Sequence, residues 1–354
     1  MSVFYKIGTA ALRTLPAETA HNTTIKALAA GLGPSPTLAA APELAVHVGG
    51  LSLPNPVGLA AGFDKNAQVP DAMLRAGFGA AECGTVTPRP QAGNPKPRLF
   101  RLTEDAAVIN RMGFNNGGLE IFAKRLEARK VKGKGGVVGA NLGANKDSDD
   151  RINDYIIGLT RLWGTPDYFT INISSPNTPG LRALQGADEM DQLLSRIAQA
   201  RQALTETGGH TPVFLKVAPD LDSAQIERIV EQALVYQMDA LIVSNTTIAR
   251  PDSLMSGHKG EAGGLSGAPL FEASTKILSE FHAASAGRID LIGVGGISSG
   301  AQAYTKIRAG AKAVQLYSAL VFKGPQLVTD IKRDLQVRLK ADGFSSISEA
   351  VGTA

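Results

Sequence analysis

Eight times along this chain a short run of β-branched and small apolar residues is followed by a helix-length amphipathic pattern, and no other feature restricts the fold so strongly. The strand candidates are Val57–Ala60, Gly79–Gly84, Val137–Leu142, Tyr168–Ser174, Val213–Val217, Ala240–Asn245, Leu291–Gly295 and Ala313–Tyr317. Helical patterns follow over Val69–Ala76, Gly118–Lys130, Asp150–Trp163, Asp188–Thr205, Ser223–Gln237, Glu272–Ala284, Ser299–Ala309 and Gln326–Lys340. Eight parallel strands with right-handed crossovers close most naturally into an α/β fold of the (β/α)8 TIM barrel type, whose chemistry sits on loops at the strands' C-terminal ends. Periodicity alone leaves a doubly wound open sheet as the alternative. With 354 residues and 44% hydrophobic content, the chain is long enough to bury a core of either kind.

Two insertions interrupt the rhythm, a Pro-rich stretch at Thr85–Asn110 and a Gly-rich one at Ala249–Pro269. Both follow strand ends, where long loops cover or build sites more often than they merely decorate a surface. Ahead of the barrel, residues 1 to about 32 predict two short helices broken near Pro16. The first carries Phe4, Ile7, Ala11, Leu12 and Leu15 on one side; the second carries Ile25, Leu28 and Leu32, with His21 near its start. Docking on the barrel and lying in a membrane interface both suit such helices. The division expected is an extension over 1–40 and a barrel over 41–354, with Leu44–Pro56 forming a hairpin under the barrel's N-terminal mouth.

One cysteine, Cys83, excludes an internal disulfide framework and a multi-cysteine metal site, and fits a reducing compartment. The net charge is +4, with Lys and Arg dispersed rather than blocked beside aromatics, so no nucleic-acid partner is expected. The same mild charge suits an anionic substrate or an anionic membrane surface. No run approaches the roughly 20 apolar residues that cross a bilayer, and the first residues lack the pattern of a secretory signal.

Residues at or just beyond the strands' C-terminal ends are Lys65, Thr85, Asn141, Asn172, Ser175, Asn177, Lys216, Asn245, Thr246, Gly295, Gly296, Tyr317 and Ser318. Asn110, at the end of the Pro-rich stretch, and Asn115, just beyond it, extend a set rich in neutral amides. An amide offers donor and acceptor in fixed geometry, and several together read the alternating N–H and C=O edge of a pyrimidine or flavin. Gly293-Val-Gly-Gly-Ile297 after the seventh strand, with Tyr317-Ser318 after the eighth, suits the phosphate cradle that barrels place there; glycines also serve tight turns. A dinucleotide or triphosphate fingerprint is missing. So are paired catalytic carboxylates and a His/Asp/Glu metal cluster, and no metal is expected. Redox chemistry on an organic cofactor becomes the leading class, ahead of a barrel that binds phosphate without redox chemistry.

The run Asn172-Ile-Ser-Ser-Pro-Asn-Thr-Pro-Gly-Leu-Arg182 carries a specific resemblance. Together with Ala60-Ala-Gly-Phe-Asp-Lys65, Gly84-Thr-Val-Thr-Pro-Arg-Pro90, Asn110-Arg-Met-Gly-Phe-Asn-Asn116 and Gly293-Val-Gly-Gly-Ile297, it closely resembles the dihydroorotate dehydrogenases of the quinone-dependent class, over nearly the whole chain. The resemblance implies FMN as cofactor and oxidation of dihydroorotate to orotate in pyrimidine synthesis. It implies Ser175 as catalytic base, with Thr178 and Phe114 around the water that relays its proton. Substrate contacts would come from Lys65, Asn110, Arg111, Met112, Gly113, Phe114, Asn172, Asn177, Asn245 and Thr246.

By the same resemblance the flavin contacts would be Ala61, Gly62, Phe63, Asp64, Lys65, Thr85, Asn141, Asn172, Lys216, Ser244, Gly267, Gly296, Tyr317 and Ser318. Ser244 departs from the threonine that close relatives often carry there. His21, Arg101 and Tyr317 would face a quinone at the inner end of an apolar mouth formed by the N-terminal helices. The cytosolic class uses cysteine as base and lacks those helices; Cys83 lies within a strand and reads as packing. The implied setting is a monomer bound peripherally to the cytoplasmic face of a bacterial plasma membrane.

Overall fold

In the computed structural model of the chain, residues 3–36, 41–178 and 180–354 are described. The expected boundary at residue 40 and the side chain of Phe4 lie outside the described residues. Eight parallel strands form the closed barrel: β1 (Val57–Asp64), β2 (Ala80–Val86), β3 (Val137–Leu142), β4 (Tyr168–Asn172), β5 (Val213–Val217), β6 (Ala240–Val243), β7 (Asp290–Val294) and β8 (Ala313–Leu316). Sequential strands neighbour one another, and β8 pairs with β1 through Val314–Val57 to seal the ring. Closure excludes the open-sheet alternative.

Strand β1 runs four residues past its expected end. Ala60, Ala61 and Gly62 are too small to carry a strand signal, and the register against β2 shifts between Leu59 and Asp64, with Gly62 at φ 101°. The shift bends the strand end and lets Lys65 reach the C-terminal face. Inside the barrel, Tyr168 stacks on Phe214 at 4.7 Å between ring centroids. Gly139 makes room for that ring, since a Cβ there would lie 2.2 Å from Tyr168 Cζ. Below it, Val46–Val48 pairs antiparallel with Leu51–Leu53 to close the N-terminal mouth.

The outer helices begin where the sequence supplies caps. Asp222 and Gln225 form a reciprocal capping box at the helix Ser223–Val235, and Ser299 Oγ accepts from Gln302 N ahead of the helix Gly300–Arg308. Each such cap contributes about 1 kcal/mol.

The two insertions are not bare loops. Leu99–Leu102, Ala107–Asn110 and Gly264–Gly267 pair into a three-stranded antiparallel sheet over the barrel's C-terminal face, so the Pro-rich and Gly-rich segments are one structural unit. Its small core joins Phe100, Leu102, Ala107, Ile109, Leu254 and Leu265. A Cβ at Gly263 would meet the Asn110 carbonyl oxygen at 2.3 Å, which is why glycine stands where this pairing begins.

Helices α1 (Val3–Thr14) and α2 (Ala17–Ala29) form the extension, with Pro16 between them. Ala20 and Ile25 of α2 are buried, Ile25 within the barrel's own core. Ile7, Leu15 and Leu32 face outward at 62%, 38% and 69% exposure, so the extension is docked by one side and apolar on another. Among the described residues no helix is long and apolar enough to cross a membrane.

Candidate active site

A cavity of about 450 Å³ opens between α1 and α2 and ends above the barrel strands. Its outer walls are Leu12, Ala20, Leu28 and Pro34; its inner walls are polar. The cap sheet contributes Val108, Asn110 and Ser266, and the short helix Ser318–Lys323, absent from the sequence reading, contributes Ala319 and Phe322.

At the inner end the amides form a continuous network. Asn172 Nδ2 donates to Thr85 Oγ1 at 3.0 Å and to Asn141 Oδ1 at 3.3 Å, while its Oδ1 accepts from Ser174 Oγ at 2.8 Å. Asn245 Nδ2 donates to Ser174 Oγ at 2.9 Å, and Asn177 Nδ2 to Asn110 Oδ1 at 3.1 Å. Tyr155, on the helix Arg151–Leu162, donates to the Asn172 carbonyl at 2.8 Å and anchors the end of β4. Ser175 is buried on the cavity wall, its Oγ accepting weakly from Asn177 N at 3.3 Å. Neither a histidine nor a carboxylate touches that hydroxyl among the described residues. A proton leaving Ser175 therefore needs a relay. Thr178 Oγ1 is buried without a partner, as is Thr246 Oγ1.

Two ammonium groups face the same space. Lys216, at the end of β5, is buried and held below the usual lysine range by desolvation, which the Glu82 carboxylate partly offsets. Burial also pulls Lys65 down, to about 8. Among the described residues neither has an ion-pair partner. Two desolvated cations on one cavity, with the orphaned Thr246 hydroxyl on the same wall, are the complement of anionic, heteroatom-rich ligands. Gly295 and Gly296 line the cavity at φ 113° and 74°, and a Cβ on Gly296 would lie 2.4 Å from Phe271 Cα. The donor set thus suits anionic ligands with heteroatom-rich edges, and the glycine turn suits a phosphate.

Beyond the aliphatic mouth the cavity wall is aromatic. Phe63 stands edge-on to both His21 and Tyr317, with centroids 5.6 and 5.5 Å away. Tyr317 Oη and His21 Nδ1 share a hydrogen bond of 3.2 Å. Burial, reinforced by the Lys65 charge, lowers His21 to about 3, so the imidazole is neutral. Burial raises the Tyr317 phenol, which keeps its proton. Arg101 Nη1 donates to the carbonyls of Arg13 and Leu15, tying the cap sheet to α1.

Most of the residues singled out from sequence meet here. Lys65, Asn110, Met112, Gly113, Phe114, Asn172, Asn177, Asn245 and Thr246 line the cavity, as do Ala61, Gly62, Phe63, Thr85, Lys216, Ser244, Gly267, Gly296, Tyr317, Ser318, His21 and Arg101. Five do not. Asp64 turns inward to accept from Gln68 N and Val69 N at 2.8 and 2.6 Å, capping the turn after β1. Asn141 lies behind Thr85, bonded to Glu82. Arg111 pairs with Glu261 and covers the Phe100 ring. Asn115 is half-buried beside Gly93, its Oδ1 enclosed and unpartnered. Thr178 stands behind the wall. Cys83 is wholly buried, its thiol raised by desolvation and donating to Asp64, consistent with packing.

Glu82 is not among the residues singled out from sequence. Fully buried inside the barrel, it accepts from Asn141 Nδ2 (2.7 Å), Gln315 Nε2 (2.8 Å) and Tyr168 Oη (3.2 Å), and supplies the negative charge beneath Lys216. A carboxylate in the middle of an otherwise apolar strand was the available signal.

Residues 43–339 match the family model described as Dihydroorotate dehydrogenase. The chain belongs to the dihydroorotate dehydrogenase family. It is 54% identical over 344 residues to a dihydroorotate dehydrogenase (quinone) of Xanthobacter autotrophicus, covering 96% of each chain. A protein of the same name from Rhodospirillum rubrum is 52% identical over 352 residues, 99% of this chain and 95% of that one. Among solved structures, the dihydroorotate dehydrogenase of Eimeria tenella in complex with ferulenol superposes with a TM-score of 0.92 at 40% identity, covering 95% of both chains. Its ligand-free form gives a TM-score of 0.90. Family membership makes this a flavin-dependent enzyme, in keeping with the cavity's donor set.

Proposed function

We propose that this chain oxidises dihydroorotate to orotate in pyrimidine biosynthesis, with FMN as the flavin and a membrane quinone as final electron acceptor. The observation that carries the reading is the single cavity that joins Ser175, Lys65 and the Asn network at one end to the opening between α1 and α2 at the other. One end suits a small polar anion and the other an apolar molecule arriving from a lipid surface. The exposed Ile7, Leu15 and Leu32 support peripheral attachment, here assigned to the cytoplasmic face of the plasma membrane. On this reading residues 1–40 are the membrane and quinone-access unit and 41–354 the catalytic barrel, acting as a monomer.

Lys65 receives the substrate carboxylate, and Asn110, Asn172, Asn177 and Asn245 read the edge of its ring. Ser175 takes the proton from the ring carbon next to the one that gives up hydride. Thr178, whose Oγ1 is buried without a partner, would pass that proton on through a water beside Phe114. When bound, the flavin accepts the hydride. Lys216 would set a positive charge against its pyrimidine ring, and Thr85 and Asn172 would hold its polar edge. Gly267, Gly296 and Ser318 line the end of the cavity assigned to its phosphate. Phe63, His21 and Tyr317 form the wall between flavin and quinone.

The test is anaerobic. Dihydroorotate should bleach the yellow band of the purified protein, and a short-chain quinone should restore it where fumarate or NAD does not. A flavin that dihydroorotate leaves oxidised would overturn the substrate, and recovery with NAD or fumarate would overturn the acceptor.

A further inference from the structure

Lys306 takes no part in the chemistry above, yet it is fully buried. It projects from the helix Gly300–Arg308 toward the first turns of the helix Phe271–Ser285. Its Nζ donates to Ser274 Oγ at 2.8 Å and Thr275 Oγ1 at 3.1 Å, and lies 5.3 Å from the Phe271 ring centroid. No carboxylate forms an ion pair with it among the described residues; Glu272 acts on it only through space. Desolvation pulls this lysine down to about 7. A buried ammonium without a counter-ion is costly, and a purely structural site would be filled at lower cost by an apolar side chain.

The hydroxyl that accepts its shorter hydrogen bond is tied to the glycine turn of the cavity. Ser274 is also fully buried, and its Oγ stands 3.1 Å from the carbonyl oxygens of both Gly295 and Phe271. With the ammonium donating to Ser274, the serine hydrogen is directed to those carbonyls. In a planar trans peptide, C=O and the following N–H point in opposite directions. Holding the Gly295 carbonyl toward Ser274 therefore turns the Gly296 N–H toward the cavity that Gly296 lines. The fit permits no other residue at either position: a Cβ on Gly295 would lie 2.7 Å from Ser274 Oγ.

We propose that Lys306 is a positioning residue for the flavin phosphate: through Ser274 it fixes the Gly295–Gly296 peptide, and it places a buried positive charge behind the amide that meets the phosphate. The inference rests on the FMN reading above. It makes the phosphate, rather than the ring, the part of the cofactor that depends on Lys306.

The experiment compares two flavins that differ only in that phosphate. Release of FMN from the holoenzyme is followed by the return of flavin fluorescence on dilution, and rebinding of FMN and of riboflavin by its quenching. Lys306→Met, which keeps length and apolar volume, should weaken FMN by roughly 10- to 30-fold, as expected for one charge acting across about 8–11 Å at an effective dielectric constant of about 20, and leave riboflavin unchanged. Ser274→Ala should show a smaller loss with the same selectivity. Equal loss of both flavins, or no loss in either variant, would overturn the proposal, the first by making Lys306 a general packing residue. If the wild-type protein binds riboflavin as tightly as FMN, the cofactor reading itself fails; if it prefers FMN and the variants keep that preference, only the role of Lys306 fails.

Discussion

Arg98 and Glu18 meet as a fork, Nη2 to Oε1 at 2.7 Å and Nε to Oε2 at 3.2 Å, joining α2 to the loop that leads into the cap sheet. The same guanidinium donates to the carbonyls of Ala92 and Asn94 at 2.6 and 2.9 Å. Little of either side chain is exposed, 7% for Arg98 and 18% for Glu18. The extension and the substrate-side loop thus share one charged group. Arg98→Met leaves four acceptor oxygens unfilled, the carbonyls of Ala92 and Asn94 and both oxygens of Glu18, whose remaining cation is the more distant, exposed Lys96 at 3.7 Å. It should lower stability by about 3 kcal/mol, the lower end for a buried pair losing one member, read as a shift in the denaturation midpoint. The Arg98 hydrogen bond and charge hold the Glu18 carboxyl below its ordinary value. The pair's contribution is therefore full above pH 4.5 and lost as pH falls through the lowered value. Glu18→Gln should remove that acid-side loss; an unchanged acid limb would show that the pair is idle.

Ser175→Ala should reduce turnover by roughly 10²- to 10⁴-fold, the range for a general base, and leave the flavin absorbance of the purified protein intact. The hydroxyl makes a single weak contact, with Asn177 N, so its loss disturbs little structure. Turnover within a few-fold of wild type would remove the serine from the mechanism.

The barrel could be read from sequence because each strand buries both faces and each helix only one, which leaves two distinct periods in the residue pattern. The site could be read in large part because its residues follow strand ends. What escaped was built from contacts between distant segments. Leu99–Leu102 alternates in burial as a strand should, but its partners, Ala107–Asn110 and then Gly264–Gly267, span an interval no local period covers. Asp64 and Asn141 stand in the right motifs yet face the interior, because the shifted register of β1 and the Glu82 carboxylate claim them. Lys306 carried no signal at all: a lysine on an amphipathic helix reads as solvent-facing until the fold buries it.

Deleting residues 1–32 should suppress quinone reduction far more than reduction of the flavin by dihydroorotate. Leu12, Ala20, His21 and Leu28 line only the outer part of the cavity, whereas Ser175, Lys216 and the Asn network belong to the barrel and cap. Stopped-flow measurement of the two half-reactions separates them. Equal loss of both would make the helices a folding element, which the burial of Ile25 in the barrel core makes a real competitor. His21→Phe in the full chain distinguishes the two, since it keeps the packing against Phe63 and removes only the Tyr317 hydrogen bond.

Lys65 gives the substrate side a pH dependence of defined sign. Burial lowers its ammonium to about 8, against the opposing attraction of Glu18, with the Arg98 charge lowering it further. The free enzyme therefore carries the positive charge below about pH 8 and loses it above, where an ordinary lysine would keep it to 10.5. Binding of a carboxylate-bearing substrate needs that charge, so kcat/KM for dihydroorotate should be flat below the transition and fall as pH rises through about 8. This ratio reports groups of the free enzyme, so the substrate's own stabilising effect on the ammonium does not mask the limb. Lys65→Met should lower kcat/KM and abolish the limb. Glu18→Gln removes an attraction that keeps Lys65 charged, and should move the limb to lower pH while Lys65 itself is untouched. A limb that stays in place in Glu18→Gln, or persists in Lys65→Met, would assign the titration to a different group.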